Sequence, residues 1–475
     1  MIIGSELLDK ANSEISAEFG NEVTGQARGR IRVLSTVKST SDNMLELMGT
    51  MAETYTTAYQ ALSEANSITC VVKETVFDAV PRPAVVILDM FALPQLQATR
   101  AITGRSVPIM SWMTGHASAL LRLFGPESFG GIGDIGAKID AEATRLGGTP
   151  EEIGETIYNH TDGTLIKISG LPVMYDYEFF PQKLPFDIPI SKVIRGCYTV
   201  IQECDGSFVA SAHAFENEAL ATTKSWFLEL KKDTYVIGPL LPLGYGTVAQ
   251  SSRGAGEIEA FLDNMLLQRG RRAVLFISFG TLFWPTTPEY VDEVIEALVE
   301  KSFPFVFCFA SPFAKVSDQL REKVKSSGFG MITQWAPQQF ILNHPATGWF
   351  LTHCGHNSIT ESLAAGIPII AWPFEADQPA AAAYLTENLN VAFELIEVRT
   401  GERGLKPLHR NGRAAKGTRD AVGVELRDVI DACRGEKGEE LRKNAEDIKA
   451  KLFEAWQEDG VSRKELQAFL ENFNQ

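Results

Sequence analysis

The stretch Thr347-Gly-Trp-Phe-Leu-Thr-His353-Cys-Gly-His-Asn-Ser358 decides the fold. Thr347–Leu351 is the kind of short apolar run that forms a strand buried on both faces of a parallel sheet. The run ends at His353, turns at Gly355, and Asn357 and Ser358 open a helix. A helix entered this way offers unpaired backbone N–H groups and the positive end of its dipole, which suits a diphosphate. Glycine in the turn lets the backbone approach an oxyanion closely. Taken alone, Asn357 and Ser358 also suit ordinary N-cap positions.

Working outward, Trp335-Ala-Pro-Gln338 precedes this stretch, and Glu361, Gly366-Ile-Pro368 and Trp372-Pro-Phe-Glu-Ala-Asp377-Gln378 follow it. The ordered set Trp335–Gln378 resembles the nucleotide-sugar box of the family 1 UDP-dependent glycosyltransferases. The resemblance implies a GT-B architecture: two doubly wound, Rossmann-like α/β domains facing each other across a cleft, with a C-terminal helix returning to the first domain. It also implies a site. Trp335 would stack on uracil, and Gln338 would lie near the uracil and ribose. Glu361 would accept hydrogen bonds from the ribose hydroxyls. His353, Gly355, His356, Asn357 and Ser358 would hold the diphosphate, together with Thr281 in Ile277-Ser-Phe-Gly-Thr281. Asp377 and Gln378 would read the sugar, and a terminal Gln points to UDP-glucose. His356 stands where plant members carry Trp; a mild effect is expected, because the contact there is a backbone amide. Each residue also has a plainer reading: Trp335 as a core tryptophan, Glu361 as dipole compensation, and Asp377 as the cap of the helix opened by Pro379.

The totals fit this expectation. The 475 residues suggest several domains. Composition is that of an ordinary globular protein, 45% hydrophobic and 22% charged. A net charge of −16 argues against nucleic acid or an anionic membrane as the main partner. Cys70, Cys197, Cys204, Cys308, Cys354 and Cys433 form no CxxC pair, which suggests free thiols in a reducing compartment. No apolar run approaches the roughly 20 residues of a membrane span, and the first residues do not form a secretory signal. A cytoplasmic protein is expected. No metal-ligand spacing stands out and no cofactor is called for, since a UDP-sugar would be a co-substrate. The sequence sets no oligomeric state.

Along the chain, Glu6–Phe19 reads as a helix, Ile31–Val37 as a strand and 42–67 as a long helix. Ala84–Asp89 reads as a buried strand ending in a carboxylate, and Val107–Trp112 as another. The span 125–149 is glycine-rich and reads as a mobile surface loop. Its Gly131-Ile-Gly-Asp-Ile-Gly136 matches GxGxxG but follows no strand, so a dinucleotide site and a dehydrogenase are rejected. Residues 205–240 read as strand, helix, strand. The expected division is 1–243 as an acceptor-binding domain, 244–256 as linker, 257–437 as the nucleotide-sugar domain and 438–475 as helices packing back on the first. Six strands are expected between Ala273 and Ile396. Arg399–Arg419, with seven Lys/Arg and several glycines, reads as a solvated loop.

The reaction implied is inverting transfer of a hexose to a hydroxyl of a small lipophilic acceptor, of the kind met in secondary metabolism. The family deprotonates the acceptor with a His near the N-terminus, oriented by an Asp that Asp89 matches. None of the seven histidines precedes Asp89. We therefore expect that the family's opening strand, Gly-His turn and first helix have no counterpart, that the sequence is N-terminally incomplete, and that transfer is weak or absent. A general base contributes ~10²–10⁴-fold. Met90, Phe91, Trp112 and His116 are the expected acceptor-side residues, with His116 also weighed as a substitute base. The rival expectation is a nucleotide-sugar-binding pseudoenzyme or truncated fragment.

Overall fold

Apolar runs separated by helices pair in parallel, because each crossover helix returns the chain to the same end of the sheet. The computed structural model describes residues 1–19, 26–38, 44–185, 189–242, 244–246 and 256–473. Its first half carries a four-stranded parallel sheet of β1 (Val86–Asp89), β2 (Ile109–Met113), β3 (Gly206–Val209) and β4 (Asp233–Val236), in that order. Its second half carries β5 (Val274–Ser278), β6 (Phe305–Cys308), β7 (Gly330–Thr333), β8 (Thr347–Thr352), β9 (Ile369–Ala371) and β10 (Ala392–Glu394). These six pair in the order β7-β6-β5-β8-β9-β10, all parallel. That is the doubly wound order, reversing between β5 and β8. All six strands expected from the sequence are present. Most of the expected linker lies outside the described residues.

Four helices meet at the junction between the halves, α1 (Ala117–Phe124), α2 (His213–Glu229), α4 (His356–Ala365) and α5 (Gln378–Glu387), while α3 (Gln338–Asn343) packs on α4 within the second half. Two more close the chain. The helix Glu436–Glu454 packs on α4, and the helix Val461–Glu471 lies against β4 of the other half. Phe469 sets its ring 4.6 Å from Phe208 and 5.4 Å from Tyr235. Trp456 Nε1 donates to the Pro239 carbonyl at 2.6 Å. The apolar stripe at the C-terminus thus covers the first sheet, as expected for a returning helix.

Four expectations are corrected. The Ile31–Val37 strand is reduced to a single bridge, where Leu34 pairs in parallel with Ile2. Ile3 N–H donates to the Leu34 carbonyl, and Leu34 N–H to that of Met1, each at 3.0 Å. The helix Leu8–Phe19 joins the two segments. Ile2 packs against both the cluster that holds Leu88 and the one that holds Leu34. Second, β1 is not a buried interior strand. It ends the described sheet, and Ile87 is 48% exposed. Third, the span 125–149 is not simply a surface loop: it holds a helix over Ile135–Leu146 capped by Asp134, with Ile135, Ile139 and Ala143 buried.

Fourth, Arg399–Arg419 is not a solvated loop. Arg399 is buried and pairs with Glu394 at 2.9 Å. Arg410 bonds Glu394 as well, and reaches Glu178 of the first half at 3.1 Å. Glu178 is fully enclosed and also accepts from the N–H groups of Tyr175 and His409. Nearby, Tyr177 donates to the Pro407 carbonyl at 2.7 Å, and the Arg403 guanidinium lies 4.0 Å from the Phe180 ring centroid. A run of basic residues looks solvated in sequence, because the carboxylates that pair with it are distant in the chain. Here Glu178, in the other half, is the partner farthest in the chain.

Candidate functional site

In an open parallel sheet the crevice forms outside the carboxyl ends of the two strands where the order reverses. Those strands are β5 and β8, and the turns leaving them are Phe279–Thr281 and His353–Gly355. Gly280 has φ +73°, and a Cβ there would stand 2.9 Å from the His353 ring. A Cβ on Gly355 would approach His353 Nε2 to 2.5 Å. The imidazole therefore fills a slot that two glycines leave open. Burial holds its pKa down at about 4, against the backbone of Ser278, so the ring is neutral at ordinary pH. Cys354 between them takes φ +66°, a left-handed turn that swings the chain into α4.

Gly355 is the N-cap of α4, and no side chain caps that end. Asn357 and Ser358 lie inside the first turn, so neither is the cap residue; Asn357 is exposed and Ser358 buried. Uncapped N–H groups at a helix start, beside two glycine turns, can take an anion. Thr281 is exposed at the mouth of the β5 turn.

One turn further along α4, Glu361 faces the start of α3. Its Oε2 accepts from Gln338 Nε2 at 2.7 Å and its Oε1 from Gln339 Nε2 at 2.9 Å. Burial raises its pKa, and the two amides oppose that rise. Each oxygen retains a lone-pair direction, which suits a vicinal diol. Gln339 carried no signal in sequence, because glutamine beside glutamine at a helix start is unremarkable. Trp335, on the same edge after β7, is 59% exposed, so the core-tryptophan reading fails. Its indole face is free to stack.

The turn Phe374–Gln378 completes the rim. Ala376 takes φ +59°, turning Asp377 to the first position before α5. The Asp377 carboxylate makes no cap bond to that helix, which removes the capping reading. Gln378 is buried, and its carbonyl accepts from the Phe374 N–H at 2.9 Å, leaving the NH₂ end as its free donor. Tyr158 of the first half donates to Glu375 at 3.1 Å and ties this turn across the interface. Sequence alone gave no sign of either residue.

On the other side, Asp89 ends β1. Its carboxylate accepts from the Phe91 N–H at 2.9 Å, and burial raises its pKa against that bond. None of the seven histidines hydrogen-bonds it. Met90 is buried in the core of the first half and Phe91 is exposed. Trp112 packs toward Phe208, in the cluster under the C-terminal helix. His116 is buried, 3.6 Å from Glu216.

Residues 210–400 match the family described as UDP-glucoronosyl and UDP-glucosyl transferase. The chain is 28% identical over 487 residues to UDP-glycosyltransferase eriJ of Hericium erinaceus, covering 99% of this chain and 91% of that protein. It is 30% identical over 282 residues to UDP-glycosyltransferase 72B1 of Arabidopsis thaliana, spanning about half of each (56% and 53%). In fold it is similar to a crystal structure of a UGT transferase from Siraitia grosvenorii in complex with UDP, with TM-score 0.64 and 21% identity, covering 96% and 95% of the two chains. The switch-point turns, the uncapped helix and the Glu361 cluster all fall within the matched family region, and the chain is similar to UDP-glycosyltransferases along its length and to their solved structures in fold.

Proposed function

We propose that this protein binds a UDP-sugar, with glucose as its hexose, and transfers it with inversion to a hydroxyl of a small lipophilic acceptor. The observation that carries this is the single edge formed by Trp335, Gln338, Glu361, the uncapped start of α4 and Asp377. A flat ring, a diol acceptor, an anion site and a sugar-facing carboxylate succeed one another in the order of the parts of a nucleoside diphosphate sugar. Trp335 stacks on the base and Glu361 takes the ribose. The turn N–H groups at Gly355–Ser358, with Thr281, hold the diphosphate. His353 stays neutral and shapes their slot. As the glycosidic bond breaks, negative charge grows on the departing UDP, and N–H groups already aimed at it stabilise the transition state more than the ground state. The acceptor hydroxyl attacks from the opposite face, which inverts the anomeric centre, and its proton passes to solvent water. The terminal Gln378 supports glucose.

A second reading, binding without turnover, is favoured by Asp89, whose carboxylate is bonded to its own turn rather than to an imidazole. One experiment separates the two: UDP release from UDP-glucose against a panel of phenols, sterols and terpenoids, alongside calorimetric binding of UDP-glucose. Acceptor-dependent UDP release supports transfer. Binding with no release on any acceptor supports the second reading, and no binding overturns both.

A further inference from the structure

His116 stands at the carboxyl end of β2, where it opens α1, and it is only 3% exposed. Its Nδ1 lies 3.6 Å from Oε2 of Glu216. That carboxylate is fixed from several sides: the Ala117 N–H at 2.7 Å, the Ser118 N–H at 3.0 Å, the Ser211 hydroxyl at 2.7 Å and the Ser118 hydroxyl. Glu216 occupies a break in α2, with φ −137° and ψ 50°. The His116 ring meets the His356 ring edge-on at 4.8 Å, so this contact joins the two halves of the chain. His356 opens α4, and α5, which Asp377 precedes, packs on α1, which His116 opens.

Two ring nitrogens in this cluster, His116 Nε2 and His356 Nδ1, are buried without a protein partner. Leaving a buried polar group unpaired costs about 1–3 kcal/mol, so a purely structural histidine would not be expected to end this way. The charges around it are consistent. Burial opposes a charge on His116, but Glu216 outweighs it and the pKa is raised. Burial would raise Glu216, yet His116 and the hydroxyls hold it down at about 2. Burial and the adjacent His116 push His356 to about 3. Burial raises Asp377, and the leading opposing influence is His116. A buried ring nitrogen without a partner and a carboxylate with no cap bond to its own helix thus stand in one electrostatic field.

We propose that His116, fixed by Glu216, is a donor-sugar contact: its Nε2–H and the Asp377 carboxylate bracket one sugar hydroxyl. The hydroxyl accepts from the first and donates to the second, which satisfies both. This rests on the donor-site reading and deepens it, because sugar recognition then draws on both halves of the protein.

The test is calorimetry on the full chain with two probes, UDP and UDP-glucose. His116→Phe keeps a ring against His356 and removes both nitrogens. It is expected to leave UDP affinity within about twofold, which also reports an intact fold, while weakening UDP-glucose at least about fivefold. His116→Gln, which keeps an N–H donor, retains part of the difference and serves if the Phe variant does not fold. Asp377→Asn is expected to lose the same increment, with the double variant no weaker than the worse single. Equal losses for UDP and UDP-glucose, no loss at all, or losses that multiply in the double variant would overturn the proposal. If the unaltered chain binds neither probe, the donor-site reading falls as well; if it binds both and the variants are silent, this proposal alone fails.

Discussion

Replacing Glu361 by Ala should weaken UDP through the ribose alone. The carboxylate is held between Gln338 at 2.7 Å and Gln339 at 2.9 Å, one amide on each oxygen. Each oxygen has one further acceptor direction, so a vicinal diol adds to the existing bonds rather than displacing them. Hydrogen bonds to a charged group contribute about 1.5–3 kcal/mol. Loss of that interaction corresponds to roughly 10- to 150-fold in Kd. Fold stability should change little, because both glutamines are half-buried and water can serve their amides. Calorimetric titration with UDP and with its 2′,3′-dideoxy analogue isolates the effect. The unaltered protein should prefer UDP by this factor, and the Ala variant should bind the two alike. Equal weakening of UDP and the dideoxy analogue would show that Glu361 acts on the shape of the site instead. Unchanged binding of both would remove it from the site.

Three further outcomes are expected. Trp335→Ala should weaken UDP by about 1–3 kcal/mol, the range for base stacking on an aromatic ring, with an unchanged thermal midpoint because the indole is largely exposed; a large stability loss would return Trp335 to the core. Arg410→Ala leaves Glu178 and Glu394 enclosed without their shared partner, and should cost about 3–5 kcal/mol in urea unfolding; a loss below about 1 kcal/mol would refute the buried network. His353 is held near 4 when folded and returns toward 6.5 when unfolded. The unfolded chain therefore takes up its proton first, and this contribution to stability is complete above about pH 6.5 and lost as the pH falls toward 4. At pH 5 the loss amounts to about 2 kcal/mol. Unfolding midpoints at pH 7 and pH 5 should show a smaller acid loss in His353→Gln by about that amount; identical pH dependence would refute it.

The six strands of the second sheet were legible because each is a short apolar run, and a strand covered on both faces must be apolar along its length. The proposed donor edge could be read for a related reason. In a doubly wound sheet the site is the set of turns following particular strands, so its residues follow those strands in the sequence. The first sheet was harder to read. Ile31–Val37 has the composition of a strand, but a strand is defined by pairing, and only Leu34 pairs with Ile2.

By itself the sequence determined the parallel α/β class and pointed to the proposed donor edge, because both reside in local order: apolar runs, glycine turns and helix starts. Tertiary structure alone decided what faces that edge. Arg410 and Glu178 are distant in the chain, as are His116, Glu216 and His356, and nothing in their local composition pairs them. The physical reason is that charge pairing and burial are set by distance through space. A basic stretch therefore reads as solvated until the carboxylates that close on it, Glu178 of the other half among them, are placed in space, and a histidine reads as unremarkable until both its nitrogens are accounted for.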